Sequence, residues 1–257
     1  MKKYLFTILT ISLFITSCNQ APSGDYIEWL GDNEAANELT LNGMNHYLNF
    51  EQEMAYTYFK AALDLDPSLF APHVMLAWMT PSGEEDSKHV RQAKELVKGK
   101  NENSQLFVEM LDVPANENRK VKLHEYWSKM HKIEPDGNFI HYYYALTKPT
   151  DEERIAELEA IVEKLKSENK RYEYALNNLA YDYYLSGNKE KGKEYFDQYV
   201  QAYPNGYNSH DSMAEYYYME KDYKNSLNHY KRARELYPQS VSANNKIKEI
   251  NALLDKK

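Results

Sequence analysis

The fold of this chain is decided by two consecutive stretches of 34 residues that follow one pattern. The first, 173–206, reads EYALNNLAYDYYLSGNKEKGKEYFDQYVQAYPNG, and the second, 207–240, reads YNSHDSMAEYYYMEKDYKNSLNHYKRARELYPQS. Small residues at positions 8 and 20 let two antiparallel helices approach each other, and aromatic residues at positions 11 and 24 fill the space beside them. A proline at position 32 ends the second helix. Each stretch is therefore predicted to form one helical hairpin.

This pattern resembles the tetratricopeptide repeat, in which a bulky, a small and an aromatic residue mark the first helix and small, aromatic and proline residues mark the second. Positions 7, 8, 11, 15, 20, 24 and 32 are occupied by Leu179, Ala180, Tyr183, Gly187, Gly192, Phe196 and Pro204, and then by Met213, Ala214, Tyr217, Lys221, Ser226, Tyr230 and Pro238. Position 27 is a small Ala233 in the second copy but a large Tyr199 in the first. The resemblance implies a fold whose usual role is to bind other proteins.

The same period extends backwards through the chain. Pro67, Pro135, Pro204 and Pro238 keep one frame, with a single residue inserted between the second and the third. Pro114 falls where the first helix of the third unit should be finishing, so that helix is predicted to be short. The frame predicts six units, at 36–69, 70–103, 104–137, 138–172, 173–206 and 207–240.

Two capping boxes and a final apolar stripe support this frame. Ser82 with Glu85, and Thr150 with Glu153, have the spacing with which a hydroxyl and a carboxylate cap the start of a helix. Residues 241–257 carry apolar positions suited to a capping helix, which a repeat array needs to cover its last unit. The predicted fold is an all-α, right-handed solenoid of about six helical hairpins plus a C-terminal capping helix, spanning residues 33–257.

The N-terminus has the features of an export signal. Residues 1–17 combine Lys2 and Lys3 with an apolar run that is shorter than the roughly 20 residues of a membrane span, and they end in small residues. Cys18 follows, and the ITSC sequence at 15–18 resembles the lipobox of bacterial lipoproteins. The resemblance implies a lipid on Cys18, removal of 1–17, and an exported protein anchored to a bacterial membrane. Asn19 favours the outer membrane in the enteric sorting scheme.

Residues 18–32 are predicted to be a lipid-anchored linker, and the remaining chain is acidic. The formal charge is −8, and removing 1–17 takes away two lysines and no acids, which leaves −10. An acidic surface argues against nucleic acid as a partner and against electrostatic attraction to anionic lipid. Membrane contact is therefore predicted through the N-terminal lipid only.

In tetratricopeptide arrays the first helices line the concave face, at positions 2, 5, 9 and 12. These positions, together with position 6, predict a groove for a ligand or partner that is rich in tyrosine, whose apolar face and polar tip suit peptide or glycan contact. The predicted groove residues are Phe139, Tyr142, Tyr143, Tyr174, Asn177, Asn178, Tyr181, Tyr184, Asn208, Asp211, Glu215 and Tyr218. Basic residues are missing from the positions at which a carboxylate clamp would need them.

No catalytic or metal-binding motif accompanies these repeats. The SENK sequence at 167–170 matches a Ser-x-x-Lys pattern, but the other elements of the penicillin-binding hydrolases are missing. The eight histidines form no His-Glu-x-x-His pair, and there is neither a Gly-x-Ser-x-Gly elbow nor a phosphate-binding glycine loop. We therefore expect no enzyme activity, no cofactor and no metal.

The sequence leaves two functions open. The first is a non-enzymatic, lipid-anchored scaffold or adaptor of the bacterial cell envelope that holds a protein or peptide segment on its concave face. The alternative is an accessory lipoprotein that binds a glycan or nutrient by stacking it on Tyr142, Tyr174, Tyr181 and Tyr184.

Overall fold

A computed structural model describes residues 26–81 and 83–255, and this part of the chain is all-helical. Its thirteen α-helices are α1 (Glu34–Leu48), α2 (Gln52–Leu65), α3 (Phe70–Met79), α4 (Glu84–Leu96), α5 (Glu102–Glu109), α6 (Arg119–Ile133), α7 (Asn138–Leu146), α8 (Asp151–Ser167), α9 (Glu173–Leu185), α10 (Lys189–Ala202), α11 (Tyr207–Met219), α12 (Tyr223–Leu236) and α13 (Val241–Leu254). The first twelve follow one another as six hairpins, and α13 packs against α12. The prediction of an all-α solenoid of paired helices with a final helix is confirmed.

The hairpins close because small residues stand where the two helices of a pair cross. A Cβ atom on Gly192 in α10 would lie 2.9 Å from the Ala180 carbonyl oxygen and 2.9 Å from the Tyr184 backbone nitrogen in α9. The aromatic residue one turn further along α10, Phe196, is completely buried, as Tyr230 nearly is at the same position of α12. The repeat pattern thus places a small residue where the two backbones come close and a buried aromatic side chain that fills the space beside the crossing.

The middle of the array departs from this regular form. The first helices α3, α5 and α7 have 10, 8 and 9 residues, whereas α9 and α11 have 13 each. Helix α5 ends at Glu109, and a single 3-10 turn, Met110–Asp112, leads to Pro114. The short helix predicted from Pro114 is therefore present, and α3 and α7 are short as well.

The two predicted capping boxes have different outcomes. At the start of α8, the Thr150 side chain accepts from the Glu153 backbone N–H while the Glu153 carboxylate accepts from the Thr150 backbone, so both halves of the box are formed. Helix α4 has Gly83 at its N-cap and no side-chain cap there. The other half of the predicted box, Ser82, lies outside the described residues.

The segment before α1 packs onto the array, which differs from the predicted linker at 18–32. Ile27 is only 1% exposed and belongs to the core of the first hairpins. The Glu28 backbone N–H donates to the Ser104 hydroxyl at 2.9 Å, and the Glu28 carboxylate accepts from the Asn101 backbone N–H at 2.8 Å. An apolar side chain and a polar pair therefore fix this segment beside α5; residues 18–25 lie outside the described part.

The predicted signal at 1–17 and Cys18 also lie outside the described residues. Within 26–81 and 83–255, no helix combines the length and the apolar character needed to cross a bilayer.

Candidate functional site

Three of the predicted groove residues are buried. Tyr142 is 1% exposed, and Tyr174 and Asn177 are each 4% exposed. The Tyr142 ring packs edge-on against the Tyr174 ring with centroids 4.7 Å apart, and the Tyr142 hydroxyl accepts from the Asn178 side-chain amide at 2.6 Å. Burial raises the pKa of both tyrosines well above the usual value. These two rings are core residues and offer no face to a ligand.

Four further groove residues are half-buried and are already engaged. Phe139 packs edge-on against Trp29 and Trp127. Tyr143 stacks on Trp127 with ring centroids 5.0 Å apart, and Asn178 is bonded to Tyr142 as described above. The fourth residue, Asn208, donates its backbone N–H to a residue of the first hairpin. The central part of the predicted groove is thus occupied by the protein itself.

Part of this groove is covered by residues 49–53, the turn after α1 and the first two residues of α2, which we call the closure turn. Its central residue, Glu51, is 1% exposed and lies against α10 and α11. One Glu51 carboxylate oxygen accepts from the Tyr203 hydroxyl at 2.9 Å and contacts His46 Nδ1 at 2.5 Å, and the other accepts from the Asn208 N–H at 3.3 Å. The first hairpin therefore meets the fifth and sixth, and the array closes on itself.

A second buried contact explains the unusual residue at position 27. Tyr199 is fully buried, and its hydroxyl lies 3.3 Å from both the Asn49 backbone carbonyl and the Asn49 side-chain oxygen. The same hydroxyl accepts from the Asn208 side-chain amide at 3.3 Å. A small residue at this position could not reach the closure turn, so the large side chain serves the closure of the array.

The remaining groove residues form an open surface along α9, α11 and α13, which we call the ladder surface. The Tyr181 hydroxyl donates to the Glu215 carboxylate at 2.5 Å, the Tyr184 hydroxyl donates to Glu220 at 2.6 Å, and the Tyr218 hydroxyl donates to Glu249. Each bond joins a tyrosine of one unit to a carboxylate that follows in the next. Three carboxylates, those of Glu215, Glu220 and Glu249, are exposed here, with Lys189 and Lys246 as their cationic neighbours.

Asp211 lies on the same face and carries an unsatisfied oxygen. One carboxylate oxygen accepts from the Ser242 hydroxyl at 3.1 Å, whereas the other is buried and has no hydrogen-bond partner among the described residues. Burial raises the pKa of Asp211 to about 6, with Glu215 and Glu53 adding repulsion. A donor supplied from outside the chain would satisfy this oxygen.

A second concave feature lies between the second, third and fourth hairpins, and sequence reasoning did not include it. This aromatic cavity has a volume of about 510 Å³ and is lined by Tyr47, Ala77, Trp78, Thr80, Asp86, Val90, Leu111, Ala115, Arg119, Leu123, Trp127 and Tyr143. Only Tyr143 is among the predicted groove residues. Tyr47 and Trp78 occupy positions 12 and 9 of the first two units, so the positions used for the later units would have found them.

Four of the histidines form two pairs with one another, while His46 and His141 each contact one carboxylate, of Glu51 and Glu157. His73 Nδ1 lies 2.7 Å from His89 Nδ1 within the second hairpin, and His210 Nδ1 lies 3.3 Å from His229 Nδ1 within the sixth. Burial and the neighbouring imidazole lower the pKa of His73 and of His229 to about 4. Among the described residues, no group of three or more His, Cys, Asp or Glu side chains could hold a metal ion.

Comparisons with known proteins find likeness in structure alone. No protein-family description matches the chain, and no curated protein matches it in sequence. A monomeric mutant of IFIT1 with Gppp-AAAA is similar over 86% of this chain and 55% of its own, with 16% identity and a TM-score of 0.59. Cut9 in the APC/C hetero-tetramer Cut9–Hcn1 is similar over 84% of this chain and 42% of its own, with 14% identity and a TM-score of 0.50.

The TPR protein TTC0263 of Thermus thermophilus covers 85% of this chain and all of its own at 15% identity, with a TM-score of 0.44. The chain spans about half the length of the first two structures. At these identities the likeness concerns the fold. The likeness to the IFIT1 and Cut9 structures, together with the 34-residue helical hairpins, supports a tetratricopeptide-like solenoid fold.

Proposed function

We propose that the protein is a non-enzymatic scaffold that binds a protein segment on its ladder surface. The observation that supports this role is the row of Tyr181, Tyr184 and Tyr218 hydroxyls bonded to exposed carboxylates on the concave side of the last hairpins. Tyrosines of this kind bring a large contact area at low entropic cost, and solenoids commonly bind through their concave face.

The chemistry of the ladder surface favours a segment that is rich in hydrogen-bond donors. Glu215, Glu220 and Glu249 are exposed acceptors, and Asp211 holds a buried oxygen without a described partner. Lysine, arginine and backbone N–H groups of an extended segment would pair with these oxygens. Such pairing gives specificity and speeds association more than it raises affinity.

A photocrosslinking experiment in the native cell tests this site. A benzoylphenylalanine in place of Glu215 should capture a discrete partner, whereas the same group in place of Lys231, which is exposed on α12, should not. The double variant Tyr184→Ala/Tyr218→Ala should weaken capture because it removes two of the three ladder tyrosines. Equal capture at both positions, or capture that the double variant leaves unchanged, would refute the proposed site.

We also propose that the scaffold is anchored in the bacterial cell envelope through a lipid on Cys18, at the outer membrane. The support is the export signal at 1–17 followed by the ITSC sequence at 15–18. More than one acyl chain on such an anchor makes membrane attachment stable. The partner would then be a protein segment of the envelope.

Cell fractionation tests the anchor separately from the binding site. Cys18→Ala should move the protein from the membrane fraction to the soluble fraction, and Cys18→Ser serves as a second variant that cannot carry a thioether-linked lipid. Retention of both variants in membranes would refute the lipid anchor without affecting the proposed ladder site.

The tyrosines predicted to stack on a glycan do not form an exposed surface together. Of the four tyrosines expected to stack on sugars, Tyr142 and Tyr174 are buried in the core. Tyr181 and Tyr184 remain on the ladder surface, but their hydroxyls are bonded to carboxylates. The ladder surface therefore favours binding of a protein segment over binding of a glycan.

A further inference from the structure

The aromatic cavity is separate from the ladder surface and needs its own explanation. It is lined by residues of the first four hairpins, and none of its lining residues belongs to the ladder surface. Its volume of about 510 Å³ is within the range of roughly 300–1,000 Å³ that is typical of ligand pockets.

The cavity wall is mainly aromatic and aliphatic. Trp78 is half-buried and packs against Phe107 with ring centroids 4.9 Å apart, which holds the indole in place beside the cavity. Tyr143 and Trp127 stack at 5.0 Å with an angle of 23° between their planes and form the adjoining wall. A fixed aromatic wall of this kind binds a flat, partly apolar face of a ligand with little loss of side-chain entropy.

Three polar groups on this wall have unused hydrogen-bonding capacity. Arg119 donates one N–H to the Val113 carbonyl, and none of the described carboxylates pairs with its guanidinium. The Asp86 carboxylate takes part in none of the described hydrogen bonds or ion pairs. The Thr80 hydroxyl is buried and has no partner among the described residues. A buried hydroxyl without a partner is uncommon and points to a bound molecule or water.

The balance of charge determines the class of ligand. Arg119 and Asp86 carry opposite charges, and they do not pair with each other although both line the cavity. An anion or a cation would be attracted by one and repelled by the other. A neutral molecule with hydroxyls around its rim can accept from Arg119 and donate to Asp86 at the same time.

From this combination we infer that the aromatic cavity binds a neutral sugar, with the apolar face of a pyranose ring against Trp78 and its hydroxyls on Arg119, Asp86 and Thr80. This inference goes beyond the proposed scaffold role, because the ladder surface contributes nothing to it. It places sugar binding in the second to fourth hairpins, away from the tyrosines that the sequence indicates.

The intrinsic fluorescence of the protein gives a direct test. Trp78 and Trp127 line the cavity, and the third of the three tryptophans, Trp29, packs against Phe107 and Phe139 and is not part of the lining. Titration of the full-length Cys18→Ala protein with maltotriose, cellotriose and chitotriose should give a saturable change with at least one of them. Trp29→Phe should keep that change, whereas Trp78→Phe should reduce it.

Two substitutions separate a sugar from a charged ligand. Arg119→Met should weaken binding by about tenfold, which corresponds to the loss of a hydrogen bond to a charged group. Asp86→Asn should have a smaller effect, because an amide oxygen can still accept from a sugar hydroxyl. Far-ultraviolet circular dichroism on each variant verifies that it is folded.

Two results would overturn the inference. One is the absence of a saturable signal with all three trisaccharides. The other is saturation by free phenylalanine, the zwitterionic probe, with binding lost in Asp86→Asn. Crosslinking at Glu215 is independent of these titrations, so failure of sugar binding is distinguishable from failure of the scaffold role.

Discussion

The two ends of this array are built from the same repeat but differ in how they use their concave side. In the last two hairpins, α9 and α11 have 13 residues each, the helices cross at small residues, and tyrosines of one unit bond to carboxylates of the next. In the second to fourth hairpins the first helices have 8 to 10 residues, and this region lines most of an aromatic cavity. The regular repeats thus carry a continuous surface, whereas the region of shortened repeats carries a partly open aromatic cavity.

The closure turn connects these two regions. Glu51 and Asn49 belong to the first hairpin, yet their polar partners Tyr203, Asn208 and Tyr199 belong to the fifth and sixth. Tyr47, just before the turn, lines the aromatic cavity. The turn therefore links the first hairpin, which contributes Tyr47 to the aromatic cavity, to the fifth and sixth hairpins, which carry the ladder surface. Substitutions in the turn should have the largest effect on stability.

Glu51→Ala is expected to lower the free energy of unfolding more than the other substitutions described below. This change leaves the Tyr203 hydroxyl and the Asn208 N–H without their carboxylate partner inside the protein, and the loss of each buried hydrogen bond to a charged group costs about 1.5–3 kcal/mol. Amide hydrogen exchange should then rise in α10 and α11 while α3 to α8 keep their protection. Gln52→Ala is the matched control next to it, since Gln52 is exposed and its side chain takes part in none of the described hydrogen bonds, and it should change the free energy of unfolding by less than about 0.5 kcal/mol. Equal destabilisation by both changes would contradict the closure.

The regular packing of the fifth hairpin is tested by Gly192→Ala. The added Cβ atom would meet backbone atoms of α9 at 2.9 Å, so the helices must move apart, at a cost of about 1–3 kcal/mol in the free energy of unfolding. Ser226→Ala, at the same position of the sixth hairpin, keeps the Cβ atom and loses the bond from the Ser226 hydroxyl to the Ala214 carbonyl, for about 1 kcal/mol. Urea unfolding of both variants checks the order, and a harmless Gly192→Ala would show that the crossing is looser than described.

Tyr199→Phe should cost about 1 kcal/mol, because it removes only the hydroxyl that reaches Asn49. Tyr230→Phe is the control in the sixth hairpin: that side chain is 1% exposed, and its hydroxyl forms none of the described hydrogen bonds. It should change the free energy of unfolding by less than about 0.5 kcal/mol. If thermal unfolding showed the two substitutions to be equal, the long side chain at position 27 would have no role in closure.

Acid should lower the stability of both regions to a moderate extent. In the folded protein the pKa of His73 and that of His229 are lowered from 6.5 to about 4, so the fold favours the neutral imidazoles. Their contribution is complete above pH 6.5 and is lost as the pH falls towards 4. Asp211, with its pKa raised to about 6, acts in the opposite direction and gains stability as it is protonated. Chemical unfolding at about pH 7 and about pH 4.5 should show lower stability at the acidic value; a rise would contradict the neutral histidine pairs.

The hairpins were predictable because their determinants are local in sequence. Ala180, Gly192 and Phe196 lie within one unit, and their spacing alone sets the crossing of two helices. Pro114 likewise predicted the short α5. The closure was not predictable in this way, since Tyr199 and Asn49 are 150 residues apart. Its only local sign was the misfit of a tyrosine at position 27.

The candidate sites were harder to predict from the sequence than the fold was. Position within the repeat indicated that Tyr142 and Tyr174 face the concave side, but both belong to a buried core cluster of residues from α7 to α10, against which Leu48 of α1 also packs. Tyr181, Tyr184 and Tyr218 are only half-buried, and their hydroxyls donate to exposed carboxylates. The aromatic cavity is lined by residues of four different units, and no single unit reveals it.

The distance between the closure turn and the fifth hairpin tests this account most directly. Spin labels at Gln52→Cys and Asn205→Cys, both exposed and next to the contacting residues, can be introduced in a Cys18→Ala background, which removes the only native cysteine. Pulsed electron paramagnetic resonance should give one narrow distribution of the distance between the two labels, centred at a short distance. Glu51→Ala should broaden this distribution. A broad distribution at long distance in the parent protein would show that the array is open and would contradict the closure.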